Sequence, residues 1–200
     1  MVGLFADAAR RAVQAGVDMV ELHGAHGYLI HQFHSPLTNK RDDEYGKDPA
    51  LFGVRVIQAV KKELPDDMPL FFRISAVEYA DGGYDIDYAI RLCEAYRNAG
   101  VDVFHVSSGG EGPPGQRKPG NYPGYQVPFA RKIKEALNVP VVAVGMLENP
   151  VLADTAVRNG DVGLVAIARG LLRDPYWAMN AAAALKQQTN IPKQYVPAYL

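Results

Sequence analysis

Two imidazoles and a phenol stand close together at His23, His26 and Tyr28, where the largely apolar run Val17-Asp18-Met19-Val20-Glu21-Leu22 stops. Side chains of these types donate and accept hydrogen bonds, and all three move protons. A strand that runs out into such groups is how an α/β enzyme presents its chemistry. With His31 and His34 the same stretch holds four imidazoles within twelve residues, a density that also suggests a metal. No cysteine or H-E-x-x-H frame supports zinc, however, and His31 and His34 are assigned to structure or surface.

Other polar residues sit where apolar runs end. Arg73 interrupts Leu70-Phe71-Phe72-Arg73-Ile74-Ser75. A guanidinium taken out of water must be paired or it costs several kcal/mol, and Glu21 would be its structural partner. Ser107-Ser108-Gly109-Gly110 follows the run Val101–Ser107 and opens a Gly/Pro-rich loop of 18 residues, Ser107 to Gly124. A loop of that length in a compact domain is usually a lid or a binding loop. Gly145 ends Val139–Val144, and Arg169-Gly170 follows Asp161–Ala168.

The intervening segments must carry these groups. Leu4, Phe5, Ala8, Ala12 and Val13 recur at helical spacing up to Gly16, a residue suited to the position past a helix end. A second helix is expected to open at Asp48 as cap and Pro49 as first residue, burying Phe52, Ile57, Val60 and Leu64. Asp85 caps a third, through Ile86, Ile90 and Cys93 to Gly100. Further helices are predicted over Val127–Leu137, from Asn149-Pro150, and from Asp174-Pro175. Ala-Gly-Val-Asp occurs at 15–18 and again at 99–102, each time where helix hands over to strand. Five apolar strands separated by helices predict a parallel sheet covered on both faces. That leaves a doubly wound sheet or a (β/α)8 barrel. No G-x-G-x-x-G follows the first strand, and a whole barrel needs ~250 residues, so five strands would leave three missing.

With 200 residues, 48% of them hydrophobic, the chain is expected to form one domain over 1–200. Basic and acidic residues number 21 and 22, which argues against nucleic acid or an anionic membrane surface as partner. No run approaches the ~18 apolar residues of a membrane span, and the first residues read as an amphipathic helix, not a leader. A single cysteine, Cys93, excludes an internal disulfide framework. The expectation is a cytoplasmic α/β protein.

The run His23-Gly24-Ala25-His26-Gly27-Tyr28-Leu29-Ile30-His31-Gln32-Phe33 continues through Ser35-Pro36-Leu37-Thr38-Asn39-Lys40-Arg41 and Asp43-Glu44-Tyr45-Gly46. This motif resembles the Old Yellow Enzyme family of FMN-dependent ene-reductases, the bacterial xenobiotic-reductase-like branch most of all. Leu70–Ala76, Val106–Gly110, Pro123–Phe129, Val144-Gly145 and Ala168–Trp177 extend the resemblance over nearly the whole chain. It departs at Lys47-Asp48-Pro49-Ala50-Leu51-Phe52, where the family often reads Gly-Ser-x-x-Asn-Arg, and at Gln194-Tyr195-Val196-Pro197, where some members end Gln-Tyr-x-Arg.

The resemblance implies an incomplete (β/α)8 TIM barrel, the strands being the fourth to eighth of the family fold, with FMN as cofactor and NAD(P)H as reductant. It implies reduction of activated C=C bonds in small molecules such as enones and nitroalkenes. His23 and His26 would donate to the developing oxyanion, and Tyr28 would supply the proton. Arg73 would lie beside the flavin N1 and O2, Gly145, Arg169 and Gly170 at its phosphate, and Ser107 and Gly109 along the same mouth. Some members share their site across a homo-oligomer; here Pro197 stands where their terminal arginine would be. The alternative is a non-catalytic half-barrel that binds phosphate or associates through its open sheet edges. A third reading, a multidomain dienoyl-CoA reductase-like protein, would call for downstream cysteine clusters that this sequence lacks.

Overall fold

The computed structural model describes residues 1–110, 120–188 and 191–199. Helix α1 (Val2–Gln14) leads to strand β1 (Val20–Gly24), followed by α2 (Leu29–His34), α3 (Glu44–Lys47) and α4 (Leu51–Lys61). Then come β2 (Leu70–Ser75), α5 (Ile86–Ala99), β3 (Val103–Ser107), α6 (Val127–Leu137), β4 (Val141–Val144) and α7 (Pro150–Arg158). Strand β5 (Leu164–Ala166), α8 (Arg169–Arg173) and α9 (Trp177–Ala184) follow, with a last 3-10 turn at Val196–Ala198. The five strands form one parallel sheet in sequential order, β1 to β5.

Period-two alternation divides the strands between two faces. Leu22, Leu70, Phe72, Ile74, Phe104, Val106, Val141 and Ala143 join Phe52, Ile57, Val60, Leu92, Cys93, Tyr96 and Ile133 of the helices in the main core. Cys93 is free and wholly buried there. Burying side chains such as Phe72 and Phe104 contributes about 2 kcal/mol each in apolar transfer. The opposite face holds a smaller cluster, Phe71, Val103 and Val142, with Ala166 against it. Toward the C-terminal strand ends this face turns polar. His23 pairs in register with Arg73, Arg73 with His105, and Ser75 with Ser107.

The two-sided cover expected of the sheet is found on one face only: the core residues of the helices join the main core, whereas the opposite cluster consists of strand residues. On β1, Glu21 and His23 are exposed, and on β5 Leu164 is 53% exposed. Asp85 and Asn149 cap α5 and α7 through their side chains, as their positions predict. Gly16 takes φ +81° just past α1. Helix α4 starts later than the Asp48-Pro49 signal: the Asp48 carboxylate accepts the Ala50 N–H at 3.0 Å, capping the turn ahead of the helix. Likewise Asp174 accepts the Tyr176 N–H at 2.9 Å, and α9 begins at Trp177. The strands begin at Val20, Val103, Val141 and Leu164, later than Val17, Val101, Val139 and Asp161, because the residues before them serve as connections. Asp102, for instance, accepts the Leu70 N–H and the Lys61 ammonium, each at 2.8 Å.

Candidate active site

Strand β1 ends at Gly24 and the chain reverses at once. The Tyr28 N–H donates to the Ala25 carbonyl at 3.3 Å, with His26 at φ +56° and Gly27 at φ +78° between them. Positive φ at both central residues is the signature of a type I′ turn. The reversal brings the His26 ring to 5.3 Å from that of His23, edge-on, and the Tyr28 ring to 5.1 Å from His23. Tyr28 is the N-cap residue of α2 and is 63% exposed. Two serines hold His26: its N–H donates to Ser75 Oγ at 3.2 Å, and its Nε2 lies 2.7 Å from Ser107 Oγ.

Helix α2 is anchored by polar residues on its buried side. Glu78 is fully buried and receives the Tyr84 N–H at 2.8 Å, His31 Nε2 at 3.1 Å and the Ser35 hydroxyl. His34 Nδ1 lies 3.0 Å from the Tyr96 hydroxyl, and burial pushes the His34 pKa well below its ordinary value, so the ring is neutral. His31 and His34 are thus structural, and among the described residues no cluster of three or more metal-ligating groups occurs.

The C-terminal ends of β2 to β5 surround a cleft of about 250 Å³. His26, Arg73, Ser107, Gly145, Arg169 and Gly170 all line it. His23 and Tyr28 adjoin it through the ring contacts with His26, while Gly109 lies behind, its carbonyl accepting the Ser75 hydroxyl at 2.8 Å. Tyr125 lines the cleft; Tyr122 stands 59% exposed outside it. The loop at 111–119 lies outside the described residues.

Two cations face this space without partners. Neither Arg73 nor Arg169 makes a hydrogen bond or ion pair among the described residues, and Arg73 Nε is buried. Glu21, the structural alternative as partner of Arg73, binds His105 Nδ1 at 2.9 Å. Glu148 on the cleft wall is neutralised by Arg173 at 2.9 Å. The cleft therefore presents uncompensated positive charge. Burial lowers the pKa of Arg73, with nearby Glu21 opposing. Burial, and then Arg73, lowers His26 to about 4 and His23 below its ordinary value. Both rings are accordingly neutral at pH 7, and each carries one ring N–H to donate.

Gly145 (φ +121°) and Gly170 form the small-residue wall. A Cβ at Gly145 would come 2.8 Å from Gln126 Nε2, and one at Gly170 would come 2.8 Å from Ile167 Cγ2. Backbone can therefore approach an anion here where a side chain could not stand. Gln126 carries no assignment in the sequence. It is buried, accepts the Ser108 hydroxyl at 2.9 Å and donates to the Val144 carbonyl at 3.1 Å, joining the β3 and β4 ends. Its one sequence signal is its place immediately before a helix.

The family model described as NADH:flavin oxidoreductase / NADH oxidase matches residues 1–188. An NADPH dehydrogenase of Geobacillus sp. (strain WCH70) is 43% identical over 194 residues, covering 96% of this chain and 56% of the relative. The NADPH dehydrogenase of Bacillus subtilis (strain 168) is 43% identical over 194 residues with the same shares, 96% and 56%. The chain thus spans a little over half the length of these relatives. A solved 2-naphthoyl-CoA reductase in complex with 2-naphthoyl-CoA superposes with TM-score 0.81 at 26% identity, over 93% of this chain and 29% of that one. The sequential parallel sheet is accordingly an arc of a (β/α)8 barrel. No helix among the described residues is long and apolar enough to cross a membrane.

Proposed function

The chain belongs to the NADH:flavin oxidoreductase / NADH oxidase family, and we propose that it carries the substrate clamp and flavin-phosphate half of an FMN-dependent, NAD(P)H-driven reductase of activated C=C bonds. The observation that carries this reading is Arg73: a half-buried guanidinium without a partner among the described residues, in one cleft with Arg169 and two glycines that leave backbone exposed. Such a site calls for an extended anion that offers a phosphate at one end and an electron-rich ring edge at the other. Arg169, Gly145 and Gly170 would hold the phosphate of FMN, Arg73 its N1 and O2 edge, and Ser107 and Gly109 the strand-end wall between.

Bound FMN, reduced by NAD(P)H, would supply hydride to the alkene β-carbon. The residues of this chain do the rest. His23 and His26, neutral and side by side, would donate hydrogen bonds to the carbonyl or nitro oxygen as negative charge gathers there. Neutrality suits that task, because a neutral imidazole polarises the oxygen without surrendering its proton. Proton delivery to the α-carbon falls to Tyr28, whose exposed phenol stands beside His23.

Titration with FMN, followed by quenching of flavin fluorescence, tests the reading. Binding should saturate, riboflavin should bind more weakly for want of the phosphate, and Arg169→Ala should abolish that difference. NADPH should then drive loss of enone absorbance. FMN and riboflavin binding equally weakly, with no saturation, would sink the proposal.

A second reading rests on the sheet edges. Among the described residues β1 and β5 each have one strand neighbour, and beside β1 an apolar groove runs between Phe5, Ala8, Leu22 and Val60. As a half-barrel the chain would associate through these edges and bind phosphate without catalysis. Size-exclusion chromatography separates the readings: a monomer that retains FMN counts against this one.

A further inference from the structure

Ser75 is wholly buried at the end of β2, in register with Ser107 at the end of β3. Its hydroxyl has one proton, which goes to the Gly109 carbonyl at 2.8 Å, and it accepts the His26 N–H at 3.2 Å. Its own carbonyl accepts the Tyr84 hydroxyl at 2.7 Å, so its backbone is fixed as well. His26 needs such a partner, because a side chain at φ +56° sits in a region that favours glycine. The neighbouring loop presses on the same residue: a Cβ at Gly110 would fall 2.4 Å from His26 Cα. The turn that carries His26 and the loop that carries Gly109 and Gly110 thus meet at one hydroxyl.

We propose that Ser75 is a positioning residue for His26, its hydroxyl holding the left-handed turn and fastening it to the Gly109-Gly110 loop so that the imidazole keeps its place beside His23. The functional half of this inference rests on the reading of His26 as a donor to substrate; the positional half does not.

Amide hydrogen exchange on the whole chain reads the positional half directly. The His26 amide should be protected in the wild type. In Ser75→Ala it should exchange about tenfold faster, while Ile74 and Val106 in the strands stay unchanged. Ser75→Thr, which keeps the hydroxyl, should restore protection. Should the alanine variant fail to fold, Ser75→Cys keeps the shape with only a weak donor and acceptor, and the same comparison applies. An unprotected His26 amide in the wild type, or equal exchange in the variants, overturns the assignment. On the flavin-loaded protein, Ser75→Ala should lower kcat for an enone about tenfold with flavin affinity unchanged. An unchanged kcat with the His26 amide released overturns the functional half. Absence of turnover in the wild type overturns the proposed reaction instead, and exchange alone then decides Ser75.

Discussion

Glu21 Oε2 and His105 Nδ1 meet at 2.9 Å, reaching over β2, the strand between them that carries Arg73. The carboxylate that would otherwise neutralise Arg73 is thereby engaged elsewhere, and the guanidinium stays available to an anion. His105→Leu fills the space but releases Glu21. The expected outcome is an ion pair between Glu21 and Arg73 and about tenfold weaker FMN binding, measured by fluorescence titration, with Glu21→Gln in the same background restoring affinity.

Stability should depend on pH through His26. The unfolded chain binds this proton at its ordinary 6.5 and the folded chain only at about 4. Between those values the unfolded state holds more protons, so stability rises with pH through the window and is level above it. The ring is partly solvated, which screens the effect to about 1 kcal/mol between pH 7 and pH 5. Urea unfolding at the two pH values checks it: His26→Asn should reduce the slope by that share, leaving what the lowered His34 and His23 contribute.

Glu78 joins α2 to the segment after β2 by two buried hydrogen bonds, to His31 and Ser35, and closes its own loop by a third from the Tyr84 N–H. Glu78→Ala leaves His31, Ser35 and the Tyr84 N–H short of a partner and should cost about 3 kcal/mol in denaturant unfolding. Glu78→Gln keeps the shape and part of the hydrogen bonding and should cost less. Because Tyr28 caps the helix so anchored, proton transfer should weaken along with stability.

The Tyr28 hydroxyl makes no hydrogen bond among the described residues and the side chain is exposed, so removal of that hydroxyl tests chemistry separately from fold. Tyr28→Phe should leave the melting temperature and flavin affinity unchanged. It should lower kcat for enone reduction by ~100-fold. A phenylalanine variant with full kcat would take the proton-donor role away from Tyr28.

The sequence made some of this plain and hid the rest for identifiable reasons. Leu70–Ser75 and Val127–Leu137 occur with the bounds their patterns predict, because apolar periodicity and flanking proline or glycine agree there. Helix α2 left no such trace, since its buried positions are Ile30, His31 and His34, two of them imidazoles. His23, His26 and Tyr28 could be read as a group from spacing alone, and Arg73, Gly145, Arg169 and Gly170 from their places at or beyond strand ends. The Glu21–His105 pair could not, because it joins residues 84 apart in sequence through tertiary pairing of non-adjacent strands. Ser75 was visible as a polar strand end, but its partner is a backbone N–H made available by an unusual φ, which no side-chain pattern announces.

The single cysteine gives the molecule its own clock. Cys93 sits among Leu92, Tyr96 and Phe72 with no exposure, and burial raises its thiol pKa far above the ordinary range, so in the closed fold it is inert toward alkylating reagents. Each labelling event must therefore wait for the α5 layer to part from the sheet. With excess reagent, the rate of modification becomes the frequency of that opening, and its slowing on addition of FMN would measure how far a ligand on one face of the sheet restrains the helices on the other.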